Sequence, residues 1–156
     1  MNKNKIIEIF ATWFGLGTSP KMPGTIGTIG AIPLYLSFLL IKDSRYYDNI
    51  YFIFLVLFFI FSIYISDEAE KIFGKKDAQS IVIDEVLGFL VTMFLITPSI
   101  LNVFMGFILF RIFDIIKPYP IKKLQDIKGG TGVVIDDFCA GLMANLVLFI
   151  GGLLWI

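Results

Sequence analysis

Five carboxylates sit inside or at the very ends of some of the most apolar stretches of this chain: Asp84 and Glu85, Asp114, and Asp136 and Asp137. An ionised carboxylate at hydrocarbon depth loses its water, and it persists only by pairing with a cation or lining a wet cavity. The five therefore mark a site. Their oxygens are hard ligands that suit Mg²⁺, an ion that keeps several waters and takes one or two carboxylates plus substrate phosphate oxygens. Arg111 and Asp114, three residues apart, share a helix face, and their segment runs into Lys117-Pro118-Tyr119-Pro120, where two prolines break the helix and keep Lys117 near Asp114. A guanidinium, an ammonium and a carboxylate at one helix mouth suit a phosphate and its metal. The bland alternatives are helix capping for each acidic pair and a shielding ion pair for Arg111 and Asp114.

Absences narrow the chemistry further. There is no His, which excludes a Ser-His-Asp triad, a phosphohistidine intermediate and His-ligated zinc. The single Cys139 has no Arg in the turn after it to stabilise a thiolate, so it reads as a packing residue. The stretch from Gly15 to Thr28 is dense in Gly, Pro and hydroxyls directly before an apolar segment, where backbone N–H groups with Ser19, Thr25 and Thr28 suit a phosphate cradle. It is not a Walker A loop, and Gly and Pro clusters are usually just loops. Gly129-Gly130-Thr131-Gly132, before Asp136, carries the same ambiguity.

The elements that must position these groups are apolar. Hydrophobic residues make up 57% of 156 residues and charged ones 17%, with zero net charge, which argues against a nucleic-acid partner. Mean hydropathy is +0.85. Five apolar segments run roughly over 28–41, 49–66, 81–96, 99–116 and 135–156, each short or borderline against the ~20 residues of a simple spanning helix. Thr97-Pro98 reads as an N-cap with Pro at the first helical position, and Gly74 as a helix stop. Lys3 and Lys5, then Lys71, Lys75 and Lys76, then Arg111, Lys117, Lys122, Lys123 and Lys128 fall on alternate connections. Five crossings with the N-terminus inside satisfy that bias, and they bring the Gly-rich stretch and all five carboxylates to the cytoplasmic side. Residues 1–14 read as an interfacial helix lying on the membrane rather than a signal peptide, because Glu8 interrupts the apolar run. The expected fold is a single all-α domain over 1–156, a compact membrane helical bundle with active-site loops on one face. Gly88, Gly106, Gly141 and Ala144 suit close helix contact within the chain or between copies in a homo-oligomer.

Four stretches taken together resemble one family: Phe14 to Thr28 (FGLGTSPKMPGTIGT), Ser80 to Glu85 (SIVIDE), Phe110 to Pro120 (FRIFDIIKPYP) and Gly129 to Asp137 (GGTGVVIDD) look like the successive signatures of phosphatidylglycerophosphatase A. The resemblance covers nearly the whole chain, in order. It implies a Mg²⁺-dependent phosphatase of the bacterial inner membrane that removes the phosphomonoester of phosphatidylglycerophosphate, with its site facing the cytoplasm. Carried over by position, the acidic residues are Asp84, Glu85, Asp114, Asp136 and Asp137, with Arg111 and Lys117 beside them and Ser19, Gly24 and Thr25 as phosphate-binding positions. On this reading Asp84, Glu85 and one or both of Asp136 and Asp137 supply the metal ligands. Attack by metal-activated water and attack by Asp114 to give an aspartyl-phosphate both fit. Three rival readings are a CDP-alcohol phosphatidyltransferase, whose pattern lacks its Arg here, a small cation or proton transporter, and a structural membrane subunit with capped helices.

Overall fold

The computed structural model describes residues 2–154, and among them no strand occurs. Seven α-helices follow in order among them: α1 (Lys3–Ala11), α2 (Pro23–Phe38, extended by a 3-10 turn over Leu39–Ile41), α3 (Tyr47–Phe73), α4 (Ile83–Thr92), α5 (Ile100–Ile116), the single turn α6 (Ile121–Leu124) and α7 (Gly130–Leu154). All five apolar segments are helical, so the all-α bundle expected from the sequence is what the chain forms. The C-terminal residues 155 and 156 of the last segment lie outside the described residues, as does Met1.

Several boundaries differ from the sequence reading, each for a local reason. The N-terminal helix stops at Ala11 rather than continuing to residue 14, because Trp13 and Phe14 turn the chain through the left-handed region. Helix α2 starts at Pro23, whose fixed φ suits a first helical position, so Gly24 and Thr25 belong to a helical turn and not to a loop. The cap of α5 is Ser99, whose hydroxyl accepts the Asn102 N–H at 3.0 Å, two residues beyond the expected Thr97. Gly74 does end α3, with φ 63°. Helix α7 begins at Gly130, so Asp136 and Asp137 lie nearly two turns inside it, too far in to cap it.

Three stretches are long and apolar enough to cross a membrane: Pro23–Ile41, Tyr47–Phe73 and Gly130–Leu153. They show large apolar side chains outward, among them Ile29, Leu57, Ile60 and Leu146, each at least half exposed. Helix α4 is different. Its ten residues rise only about 15 Å, half the hydrocarbon thickness. Every one of them except Glu85 is buried, because α2, α3, α5 and α7 all pack around it.

A helix that ends inside an apolar bundle must satisfy its last carbonyls within the protein. Asn145 on α7 donates to the carbonyls of Thr92 (2.9 Å) and Phe94 (2.7 Å), and the Tyr51 hydroxyl on α3 donates to that of Leu90 (2.9 Å). The opposite end of α4 carries Asp84 and Glu85 in its first turn, where the helix dipole favours negative charge. The start of α2, the connection before α4, the end of α5 and the first turns of α7 meet at that same end.

Candidate active site

Glycines set the closeness of the helices around the acidic end. A Cβ on Gly141 of α7 would run into the Gly88 carbonyl of α4, and one on Gly24 of α2 would run into the Glu85 carboxylate, with Arg111 Nη1 3.2 Å away. Gly88 and Gly141 thus serve contact within this chain. The result is a cavity of about 590 Å³ at the shared end of α2, α4, α5 and α7.

Nine of the ten residues carried over from the family signatures line it, Gly24, Thr25, Asp84, Glu85, Arg111, Asp114, Lys117, Asp136 and Asp137, whereas Thr28 of the expected cradle is buried and donates to the Gly24 carbonyl at 2.8 Å. Ser19 does not line it. Its hydroxyl donates to the Lys21 carbonyl at 3.0 Å, and it borders a neighbouring cavity of about 410 Å³ beside Lys75 and Ser80. The sequence reading missed Asp77 and Gln79 on the connection before α4, and Met22 and Ile115 at the mouth. Asp77 and Gln79 carry no motif of their own and enter the cavity because that connection folds over it.

The charges divide into a paired set and an unpaired set. Arg111 Nη1 lies 2.6 Å from Asp114 Oδ2 and 4.0 Å from Glu85 Oε1. Lys117 Nζ lies 2.5 Å from Asp136 Oδ2 and 3.8 Å from Asp114 Oδ1. The shielding pair of Arg111 with Asp114 therefore exists, but it is part of a wider network. Burial works against the charge on Lys117, and the carboxylates of Asp137, Asp136 and Asp114 outweigh that, holding the ammonium above its ordinary range. Its backbone helps to place it: Lys117 caps α5 with φ 45°, a left-handed conformation that a non-glycine residue adopts only under local constraint.

Asp84 and Asp137 have no cation within ion-pair distance among the described residues, although 6% and 3% of their surfaces are exposed. One carboxylate oxygen from each of Asp84, Glu85 and Asp137 falls within 4.8 Å of the others. Asp84 Oδ1, Glu85 Oε2 and Asp136 Oδ1 are buried without a hydrogen-bond partner. A buried carboxylate oxygen left unmet is costly, and three converging carboxylates repel one another. This donor set fits a hard divalent cation. Asp136, by contrast, already spends one oxygen on Lys117.

Membrane-length helices around a buried acidic cavity with two cations on its wall define a class: a helical membrane protein with a charged polar site at one end of its bundle. The sequence model of the family described as phosphatidylglycerophosphatase A matches residues 9–151. The chain is 35% identical over 147 residues to phosphatidylglycerophosphatase A of Escherichia coli (strain K12), covering 92% of this chain and 83% of that one. It is 34% identical over 145 residues to phosphatidylglycerophosphatase A of Haemophilus influenzae, covering 92% and 86%. A putative phosphatidylinositol-3-phosphatase of Bacteroides thetaiotaomicron is 32% identical over 145 residues, covering 90% and 89%. No solved structure matches the chain. The chain belongs to the phosphatidylglycerophosphatase A family, and it is an enzyme of the phosphoric monoester hydrolase class.

Proposed function

We propose that the protein hydrolyses the phosphomonoester of phosphatidylglycerophosphate to phosphatidylglycerol and inorganic phosphate, with Mg²⁺ held by Asp84, Glu85 and Asp137. The observation that carries the reading is the convergence of these three buried carboxylates beside Arg111 and Lys117 in one cavity. Six carboxylates there, Asp77 included, face two cations, and a phosphomonoester near neutral pH brings close to two further negative charges. Without a bound cation the cavity repels its substrate. When bound, the metal supplies Lewis-acid charge stabilisation and lowers the pKa of a coordinated water.

The chain's own groups then divide the remaining work. Arg111 and Lys117 neutralise the phosphoryl oxygens, and electrostatic stabilisation of the transferring group is the main source of rate. Asp114 touches both cations and orients them. A carboxylate so engaged is a poor nucleophile, which favours attack by water over an aspartyl-phosphate. Asp136 holds Lys117 from the other side. The clustering of acids with Arg and Lys at one end counts against a cation pathway, which needs carboxylates spread through the bundle depth.

The site end faces the cytoplasm of a bacterial cell on this reading, because Lys75, Lys76, Lys122, Lys123 and Lys128 lie on connections at that end. Labelling of a Lys75→Cys variant with a membrane-impermeant thiol reagent tests it: inverted vesicles should label and right-side-out vesicles should not.

The test of the activity is phosphate release from phosphatidylglycerophosphate in detergent micelles, with and without Mg²⁺, beside Asp84→Asn. Mg²⁺-dependent release that the variant loses supports the proposal. Faster release from phosphatidylinositol 3-phosphate would overturn the substrate, and release undiminished in a chelator would overturn the metal.

A further inference from the structure

We infer that the lipid substrate enters the cavity sideways from the bilayer, between Met22 at the start of α2 and Ile115 near the end of α5, and that its acyl chains lie along the α2–α5 seam. The inference rests on the lipid-phosphatase reading above and adds the route and the tail-binding surface to it.

The mouth of the cavity has two chemically different banks. Its inner apolar lining is closed: Ile81 is 3% exposed and Val133 4%. Met22 and Ile115, which line the same cavity, are each 67% exposed. The exposed polar lining comes from elsewhere, from Asp77 and Gln79 on the connection before α4. The exposed rim of the cavity therefore combines an apolar pair, Met22 and Ile115, that suits hydrocarbon with a polar pair, Asp77 and Gln79, that suits water. Met22 and Asp77, one from each pair, both hold left-handed backbone, with φ 53° and 48°.

From Ile115 the apolar bank continues along α5. Leu101, Phe104, Ile112 and Ile115, separated by three, eight and three residues, fall on one face of the helix and are 66%, 58%, 42% and 67% exposed. Farther along, on the face of α5 turned to α2, a cavity of about 450 Å³ lies between Ile32, Leu36 and Leu39 on one side and Ile100 and Val103 on the other, with Lys42 and Ser99 also lining it. Helices α2 and α5 meet only sparsely compared with the other pairs around the core. The sixteen residues of α2 rise about 24 Å against the ~15 Å of one leaflet of hydrocarbon, so the tails run along the half of the seam nearer the site and stop short of its far end.

Physical chemistry supplies the reason for a lateral route. Drawing acyl chains into water costs free energy with every methylene exposed. A cavity open only to water would require that extraction in each turnover, whereas a mouth with an apolar bank lets the headgroup turn inward while the tails stay in lipid. Inorganic phosphate, which has no tails, leaves past Asp77 and Gln79.

The test compares two substrates on the full-length protein: diacyl phosphatidylglycerophosphate in mixed micelles, and its deacylated, water-soluble headgroup. Ile115→Asn should lower kcat/KM for the diacyl substrate at least about tenfold relative to the deacylated one. Leu57→Asn, on the lipid-facing side of α3 and 61% exposed, should leave that ratio unchanged. An unchanged ratio in Ile115→Asn, or an equal fall in Leu57→Asn, overturns the portal. Hydrolysis of neither substrate by the unaltered protein would instead overturn the phosphatase reading. A second measurement is independent of turnover. A phosphatidylglycerophosphate with a diazirine on its acyl chain, photolysed with the unaltered protein, should label peptides of α2 and α5 several-fold more than diazirine phosphatidylcholine does. Equal labelling by the two lipids overturns the proposal.

Discussion

The contact between α4 and α7 solves the problem of burying polar groups in two opposite ways, one helical turn apart. Gly88 and Gly141 lie four residues beyond Asp84 and Asp137, so each glycine sits under its carboxylate on the same helix face. In the glycine layer the backbones touch and the polar atoms are met: Thr92 Oγ1 donates to the Gly88 carbonyl at 2.9 Å and lies 3.4 Å from that of Gly141. In the carboxylate layer Asp84 and Asp137 meet with no cation between them, and Asp84 Oδ1 is buried without a partner. The close approach that the glycines permit forces the like charges together. A layer closed on itself holds the bundle, and a layer left open one turn above it is completed by a ligand.

The sharpest way to break this contrast is to remove one open carboxylate. Asp84→Asn or Asp137→Asn should lower phosphate release by about 10²–10³-fold or more, the scale of losing a charge-stabilising group in a dry site. Thermal unfolding in chelator should be unchanged or shifted upward, since the substitution relieves repulsion. Adding Mg²⁺ should raise the midpoint of the unaltered protein and do much less for either variant. A variant that unfolds would mean that the carboxylates hold the bundle after all.

The closed layer should respond in the opposite sense. In Gly141→Ala the new Cβ meets the backbone of Gly88, which cannot swing aside as a side chain can. A loss of about 1–3 kcal/mol of stability is expected from such overpacking. Activity per folded molecule should fall about tenfold as the wedge spreads Asp84 from Asp137, an effect of misplacement. Denaturant unfolding alongside specific activity checks both. Full stability would show that the helices part easily and that glycine does not set the carboxylate distance.

Much of this was legible in the sequence, and the parts that were not have physical causes. Carboxylates and cations in apolar segments stand out because hydrocarbon penalises them, so seven cavity residues could be named on that ground without coordinates, and Gly24 and Thr25 came from the resemblance of their motif. The all-helical class followed from apolar runs with few breakers. Helix ends were less legible. Asp136 and Asp137 read as residues at the start of a helix because the glycines before them look like a loop, yet α7 begins at Gly130, where the Gly130 N–H lies 3.4 Å from Asp67 Oδ1 of α3. That partner is 63 residues away, and nothing near Gly130 announces it. The short α4 was hidden for a similar reason: its end is set by Asn145 and Tyr51, which read as ordinary residues of other helices.

Gly24→Ala probes the open layer more gently. The Cβ would crowd Glu85 and Arg111, but both obstacles are ends of flexible side chains that can yield. A fall in kcat of roughly tenfold or less is expected, with stability nearly unchanged, as the Glu85 carboxylate is pushed from its place beside Asp84 and Asp137. Steady-state kinetics with an unfolding curve distinguishes this from Gly141→Ala, where stability falls as well.

The smallest effect should come from Ser19, and it tests the distinction between met and unmet polar groups outside α4 and α7. Ser19 lies in the motif that first suggested a phosphate cradle, but its hydroxyl is already committed to the Lys21 carbonyl and faces away from the acidic cavity. Thr25, six residues on, lines that cavity. If a cavity-facing position is what marks a functional group, Ser19→Ala should keep kcat/KM within about twofold, the range of a neutral surface change. Thr25→Ala should lower it more, chiefly through KM if its hydroxyl meets substrate phosphate. A larger loss at Ser19 than at Thr25 would mean that the turn before α2 rearranges when substrate binds, carrying the serine hydroxyl from the neighbouring cavity into the acidic one.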